Sequence, residues 1–169
     1  RQTCRVELGP GYSGPIVVGD RVFVTETLAR KIEMVRALDR ATGKELWRHE
    51  WQGAMSVPFF AKANGDWIRA TPAHADGRLF VAGMRDVLVC LDAATGAEQW
   101  RLDFPAKLKS ALPSFGFVSS PLVEGDAVYV QAGGGFCRVN APTPWTSAAG
   151  LERVNVTHRK LFRVRAVNS

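Results

Sequence analysis

The sequence predicts an all-β fold built from repeated four-stranded antiparallel units, and the first evidence is a repeated pair of strands. Segments beginning at Gly14, Pro72 and Ser120 each combine a short apolar stretch, a two-residue corner and an alternating stretch such as RVFV, RLFV or AVYV. Gly and Asp at these corners tolerate the positive φ that a tight hairpin requires. The three predicted hairpin corners are Gly19-Asp20, Asp76-Gly77 and Gly125-Asp126.

A second repeated motif supplies the third and fourth strands. The stretches ALDRATGKELW and CLDAATGAEQW place an Asp, a Thr-Gly pair and a Trp at the same offsets, 53 residues apart. The Asp can accept backbone N–H groups of the turn, the Gly can adopt a positive φ, and the Trp can pack on the neighbouring unit. We interpret these residues as structural; they are Asp39, Gly43, Trp47, Asp92, Gly96 and Trp100.

Units of four antiparallel strands and about 40–50 residues are typical of the blades of a β-propeller. The sequence therefore predicts a partial β-propeller of four-stranded antiparallel blades, with about three blades and no closure. The predicted repeat region, residues 1–141, divides into a blade end (1–12), blades at 13–51 and 70–104, and a partial blade at 119–141. Because open blades leave edges and faces uncovered, we expect further blades or self-association to cover them.

The motif ALDRATGKELW resembles the tryptophan-docking motif of the pyrroloquinoline quinone (PQQ) enzyme propellers, which are quinoprotein alcohol dehydrogenase-like. The matching residues are Ala37, Asp39, Thr42, Gly43, Lys44 and Trp47. The second copy has Ala97 in place of the Lys, and at the chain start Cys4 stands where a blade-end Trp would be. The resemblance covers about residues 1–141. It implies a PQQ-like propeller fold, which is also found in the scaffold lipoprotein of outer-membrane assembly. It also implies a periplasmic or extracellular location.

The sequence shows no catalytic or metal-binding constellation. If the resemblance extended to activity, it would imply a PQQ and Ca²⁺ site near the propeller axis, held by carboxylates and often beside a disulfide between adjacent cysteines. This chain has no adjacent cysteines, and Glu26, Asp66 and Asp86 lie in no recognisable Ca²⁺ loop. We therefore favour a non-catalytic interaction or ligand-binding scaffold. The alternative is a fragment of a PQQ-dependent dehydrogenase whose catalytic residues lie outside this chain.

Two long connections, residues 52–71 and 105–119, carry the candidate binding residues. Each follows the outer strand of one blade and precedes the inner strand of the next, so we expect both on one face. Long connections rich in aromatic and basic groups favour binding of a protein partner or a small anionic ligand. The predicted mouth consists of Lys62, Asn64, Asp66, Trp67, Arg69, Lys107, Lys109 and Phe115. The competing interpretation is that the aromatic rings cap the core and the lysines are solvated.

Much of the positive charge lies in an atypical basic tail, residues 142–169. The tail holds five of the 22 basic residues and one of the 16 acidic residues, which leaves 17 and 15 in the preceding 141 residues. This nearly neutral body does not favour nucleic-acid binding, so that function would rest on the tail alone. Pro142 and Pro144 interrupt the blade motif. The tail is expected either to form a strand or two, with Val154 among the apolar positions, or to be poorly ordered.

The sequence also contains no recognisable signal peptide and no cysteine motif for metal binding. No stretch is long and apolar enough to span a bilayer, and the first residues, RQTCRVELGP, contain no signal-peptide core. Cys4, Cys90 and Cys137 lack metal-ligand spacing, and Cys90 is expected to be a buried free thiol. The run Gly133-Gly134-Gly135 is expected to form a hairpin turn and not a phosphate cradle, because no helix follows it.

Overall fold

The strands form three four-stranded antiparallel sheets, in each of which the order of strands follows the chain. The structure is a computed structural model that describes residues 4–53, 55–140 and 150–154, the last segment as backbone. None of the three sheets closes on itself. The predicted all-β fold of about three unclosed four-stranded units is confirmed.

Each sheet consists of four consecutive strands, the first of which is only three residues long. The first sheet contains β1 (Ile16–Val18), β2 (Arg21–Leu28), β3 (Ile32–Asp39) and β4 (Glu45–Gln52). The second contains β5 (Ala73–Ala75), β6 (Arg78–Gly83), β7 (Val87–Asp92) and β8 (Glu98–Asp103). The third contains β9 (Leu122–Glu124), β10 (Ala127–Ala132), β11 (Gly135–Asn140) and β12 (Gly150–Val154).

The hairpin corners lie where the sequence predicts them. Each of the three Gly-Asp or Asp-Gly pairs falls between the first and second strands of a sheet. The corner glycines have left-handed backbone angles, with φ of 58° at Gly19, 72° at Gly77 and 56° at Gly125. The predicted turn at Gly133-Gly134 likewise joins β10 to β11.

The second sheet lies between the other two and is buried on both faces. Because successive side chains of a strand point to opposite faces, β6 contributes to two separate cores. Leu79 and Val81 pack in one core with Phe23 and Val35 of the first sheet. Phe80 and Ala82 belong to the other core, which includes Leu88, Cys90, Val128 and Val130. This two-sided burial accounts for the nearly continuous apolar sequence of β6 and β7.

The third sheet has a fourth strand that comes from the segment assigned to the tail. β12 pairs with β11, and the register places Gly150 opposite Asn140 and Val154 opposite Phe136. Residues 141–149 separate β11 from β12, whereas five residues separate the equivalent strands of the first two sheets. The repeat offset alone therefore does not locate β12, which pairs with β11 although it follows the predicted boundary at 141. Residues 155–169 lie outside the described residues.

Both long connections contain a short helix. A 3₁₀ helix spans Phe59–Asn64 in the first connection, and helix α1 spans Phe104–Leu108 in the second. The carboxylate of Asp103 caps α1 by accepting the backbone N–H of Ala106 at 2.9 Å, and Pro105 occupies its first turn. Within the described part of the chain, no helix is long and apolar enough to cross a membrane.

Candidate functional site

The turn between β6 and β7 is the point where the two long connections meet. Met84 in this turn is fully buried and packs with Val57 and Ala61 of the first connection. Its carbonyl oxygen accepts the backbone N–H of Phe117, from the second connection, at 3.2 Å. A Cβ on Gly116 would lie 2.5 Å from Met84 Cε, so this close approach requires glycine. Both connections therefore lie at the same end of the second sheet.

Three phenylalanines from these connections form a contiguous exposed cluster, the aromatic patch. The rings of Phe59 and Phe60 are in edge contact, with centroids 5.7 Å apart, and Phe60 contacts Phe115 at 6.1 Å. Their exposed fractions are 84% for Phe59, 69% for Phe60 and 47% for Phe115. Most of the surface of Phe59 and Phe60 and about half of that of Phe115 therefore faces solvent instead of the core.

Three of the predicted lysines are exposed on the two connections. Lys62 lies in the 3₁₀ helix, Lys107 lies in α1, and Lys109 follows α1 with a left-handed φ of 51°. Among the described residues, none of the three forms an ion pair. Their charges are available to a ligand, and binding by these lysines stays a prediction.

The remaining predicted mouth residues serve the local structure of the first connection. Arg69 donates from Nη2 to the Gly65 carbonyl at 2.7 Å, and its guanidinium lies 5.6 Å from the Tyr12 ring centroid. Trp67 packs on the same Tyr12 ring, with centroids 5.4 Å apart. Asp66 accepts the backbone N–H of Val57 at 2.8 Å. Asn64 ends the 3₁₀ helix, and its side chain lies outside what the structure describes.

The repeated Asp caps its own turn, and the repeated Trp and Gly lie where neighbouring units of the chain meet. Asp39 Oδ1 accepts from the Thr42 hydroxyl at 2.6 Å and from its backbone N–H at 2.7 Å, and these hydrogen bonds lower the pKa of Asp39. Trp47 Nε1 donates to the Ala93 carbonyl of the second sheet's turn at 3.2 Å. A Cβ on Gly96 would lie 2.5 Å from the Trp47 ring. Trp47 therefore covers the backbone of the next blade's turn.

A related contact occurs at the preceding blade end, with smaller side chains. A Cβ on Gly43 would lie 2.7 Å from Val6 Cγ2 and 3.4 Å from the Cys4 sulfur. Val6 and Cys4 together therefore cover Gly43, whereas the Trp47 ring covers Gly96. Asp92 repeats the turn, with its Oδ1 accepting the Thr95 hydroxyl and N–H at 2.9 Å each. Trp100 is buried, and its Nε1 has no partner among the described residues.

A buried carboxylate, Glu33, links the first sheet to the β6–β7 turn. Its Oε1 accepts the Met84 backbone N–H at 2.7 Å, and its Oε2 accepts Trp51 Nε1 at 2.8 Å. Burial raises the pKa of Glu33 to about 7, although both hydrogen bonds and the charge of Arg85 act in the opposite direction. A carboxyl group that changes charge near neutral pH therefore lies beneath the site.

The second sheet repeats this linkage to the third. Asp86, also buried, accepts the Gly133 backbone N–H of the β10–β11 turn at 2.9 Å, and burial raises its pKa. Sequence reasoning treated Asp86 as an isolated candidate acid and overlooked Glu33. The available signal was their separation of 53 residues, the same as that of the two tryptophans. Each carboxylate binds a backbone N–H of the next blade's turn, so both have structural partners.

The described residues do not fit a Ca²⁺ site of the kind that PQQ chemistry needs. Among them, no group of three or more His, Cys, Asp or Glu side chains could hold a metal ion. Glu26, the third candidate acid, accepts the Gly9 N–H and lies 3.5 Å from Arg36. The predicted buried thiol is confirmed at Cys90, where burial raises the pKa to about 12.

Comparison with known proteins identifies the repeat. Residues 31–156 match the family model described as outer membrane protein assembly factor BamB. The lanthanide-dependent methanol dehydrogenase of Methylacidiphilum fumariolicum (strain SolV) is 27% identical, over 72% of this chain and 19% of that protein. The probable quinate dehydrogenase (quinone) of Xanthomonas campestris pv. juglandis is 31% identical, over 68% of this chain and 17% of that protein.

The fold agrees with this assignment. The crystal structure of BamB from Moraxella catarrhalis, a β-propeller, superimposes with a TM-score of 0.57 at 21% identity, covering 80% of this chain and 35% of that one. The three sheets are therefore blades of a partial propeller. The chain spans about a fifth of the length of the curated relatives it matches. Because the family match extends over most of its residues, the chain belongs to the PQQ-like β-propeller repeat family.

Proposed function

We propose that this chain is a non-catalytic PQQ-like propeller segment that acts as an interaction scaffold. Its binding surface is the face formed by the two long connections, and its partner is a protein with acidic and apolar side chains. The observation that carries the proposal is the aromatic patch of Phe59, Phe60 and Phe115. Large contiguous exposed apolar groups commonly mark interaction sites, and aromatic residues are enriched at the centres of interfaces.

Charge and family both support a protein partner over a neutral small molecule. Lys62, Lys107 and Lys109 lie on the same two connections as the patch and have no acidic partner in the described structure. An acidic partner would complement these charges and gain association rate from them. The family description, an outer membrane assembly factor, also suggests a role in binding proteins. The proposal accordingly places this chain in the periplasm or outside the cell.

We expect peptides selected on the immobilised chain from a random phage-displayed library to combine acidic with apolar residues. The double variant Phe60→Ser with Phe115→Ser should lower their affinity about tenfold or more, because aromatic hot spots dominate interface energies. The reversal Lys107→Glu with Lys109→Glu should weaken binding and reduce its dependence on salt. Fluorescence anisotropy with synthetic copies of the selected peptides measures both effects.

Leu46→Ser is the matched control, because Leu46 is 47% exposed, as Phe115 is, but lies on β4 and outside the patch. This variant should bind the selected peptides as tightly as the unmodified chain. Equal affinity of the unmodified chain and the double phenylalanine variant would reject the aromatic patch as the binding surface.

The alternative function is that of a segment of a PQQ-dependent dehydrogenase whose catalytic residues lie outside these 169 residues. It is favoured by the relatives named as dehydrogenases. A fluorescence titration with PQQ in the presence and absence of Ca²⁺ separates the two functions. Tight, Ca²⁺-dependent binding of PQQ by this chain would favour the dehydrogenase, whereas selective peptide binding without PQQ binding would favour the scaffold.

A further inference from the structure

A cleft between the first and second sheets is lined by three basic side chains that the proposed function does not use. It encloses about 200 Å³ and is lined by Arg30, Lys31, Gln52, Gly53 and Arg85. Arg30 and Lys31 belong to the β2–β3 turn, and Arg85 belongs to the β6–β7 turn of the neighbouring sheet. We propose that this cation cleft binds a small oxyanion, through a phosphate or carboxylate group that bridges the two blades.

The basic side chains of the cleft form no close ion pairs. None of Arg30, Lys31 and Arg85 forms an ion pair with a described residue. Glu33 interacts electrostatically with Arg85, but its two oxygens already accept hydrogen bonds from Trp51 and Met84. Three neighbouring positive charges repel one another, and a bound anion would relieve this repulsion. Guanidinium groups also match the geometry of carboxylate and phosphate by donating two parallel hydrogen bonds.

The backbone of the β2–β3 turn provides a second argument. Ala29 and Arg30 both have left-handed angles, with φ of 47° and 56°, in a hairpin closed by the Lys31 N–H to the Leu28 carbonyl at 2.9 Å. The equivalent turn of the third sheet uses Gly133 and Gly134, for which such angles carry no steric cost. The first blade therefore keeps an arginine side chain where glycine would be more stable. Strained residues of this kind cluster at functional sites, where the surrounding structure holds them.

The volume limits the ligand. Pockets for drug-sized molecules and cofactors usually enclose about 300–1,000 Å³. At about 200 Å³ the cleft suits a single phosphate or a small carboxylic acid and is too small to enclose a dinucleotide or a large cofactor. Arginines from two blades on one small ligand would tie the blades together, so ligand binding should stabilise the folded chain.

The test is thermal unfolding of the whole chain with inorganic phosphate or succinate, with sodium chloride keeping the ionic strength constant. We expect at least one of the two to raise the unfolding midpoint above that in chloride alone. Because phosphate stabilises many folded proteins without binding, only a shift that Arg30→Gln and Arg85→Gln reduce counts as binding. Such a shift with phosphate alone assigns the site to phosphate, with succinate alone to carboxylates, and with both to oxyanions generally. Arg30→Gln and Arg85→Gln should each weaken binding about tenfold or more, because each removes a charge-assisted hydrogen bond.

Lys44→Gln and Lys107→Gln are the control variants, because both lysines are exposed and lie outside the cleft. Both should keep the full midpoint shift, and weakening equal to that in Arg85→Gln would overturn the proposal. The absence of any shift beyond chloride would also overturn it. If the arginine variants do not fold, the amide resonances of Gln52 and Gly53 in the unmodified chain must move on titration. Since Lys107 belongs to the proposed partner-binding face, peptide binding can fail while oxyanion binding is retained.

Discussion

Replacing Trp47 with Ala is expected to lower the free energy of unfolding by about 3 kcal/mol, the lower end of the range for truncating a buried aromatic residue. The lower end applies because Trp47 is half-buried. Its ring lies over Gly96 and contacts Phe23 at 5.7 Å, and its indole N–H donates to Ala93. The change therefore removes apolar contact between two blades and leaves a carbonyl without its donor. Urea unfolding followed by circular dichroism measures the loss.

Two further variants separate the parts of this contact. Trp47→Phe keeps an aromatic ring and loses the hydrogen bond, so its cost should be about 1 kcal/mol. Leu46→Ala, at an exposed neighbouring position, should change stability by less than about 0.5 kcal/mol. A loss below about 1 kcal/mol in Trp47→Ala would contradict the role of Trp47 as a contact between blades. Loss of peptide binding at unchanged stability would make it a binding residue instead.

A second test of the contact between blades measures the energetic coupling of Gly96 with Trp47. Its φ of 76° strains any other residue, and an added Cβ would also collide with the Trp47 ring. Gly96→Ala should therefore destabilise the chain through both effects, whereas in the Trp47→Ala background only the backbone strain remains. A double-mutant cycle should show that the two substitutions together cost less than the sum of the single changes. Strict additivity would mean that the two residues do not interact.

The blades could be predicted from the sequence because all three share a hairpin corner and the first two share the Asp, Gly and Trp motif. Corners and an Asp that caps its own turn are local features, and repetition of the motif makes them visible in sequence. At the chain start Val6 and Cys4 meet Gly43, so a contact at this position persists although the side chains differ from Trp47. β12 does not lie at the repeat offset because nine residues separate it from β11, where the other two sheets have five.

The candidate site was harder to predict because its residues lie in irregular connections, where no repeated pattern indicates which way a side chain points. The sequence predicts Arg69 as a mouth cation; in the structure it contacts the Gly65 carbonyl and the Tyr12 ring, and its role in binding stays a prediction. Phe60 carried no more sequence signal than the buried Phe117, yet it lies in the exposed patch. Side-chain direction in an irregular connection depends on long-range packing, here against Met84 of the β6–β7 turn, and sequence periodicity does not report it.

Stability is expected to fall as the pH rises from about 4.5 to about 7, with Glu33 contributing about 3 kcal/mol to the change. Burial raises the pKa of Glu33 to about 7 in the folded chain, against 4.5 for an ordinary Glu. Between these values the folded chain keeps a proton that the unfolded chain has lost, so folding binds protons and raising the pH opposes it. The contribution is fully present below about pH 4.5 and is lost as the pH passes through about 7.

Glu33→Gln isolates this contribution from those of other carboxyl groups. The variant is neutral at every pH, so the difference in unfolding free energy between the unmodified chain and the variant should follow the Glu33 titration alone. Comparison with the variant is necessary because Asp86 titrates in the same sense and the lowered pKa of Asp92 and Glu98 acts in the opposite sense. Glu50→Gln, at an exposed position on β4, is the matched control.

The indole N–H of Trp51 provides a readout at the site itself, because it donates to Glu33 Oε2 at 2.8 Å. Its NMR resonance should titrate with a midpoint near pH 7 in the unmodified chain and should stay constant in Glu33→Gln. A stability difference that is flat from pH 4.5 to about 7, together with a constant indole resonance, would mean that Glu33 is charged throughout. In that case the donors from Trp51 and Met84 would outweigh the cost of burial, and the carboxylate would be a fixed negative charge beneath Arg85.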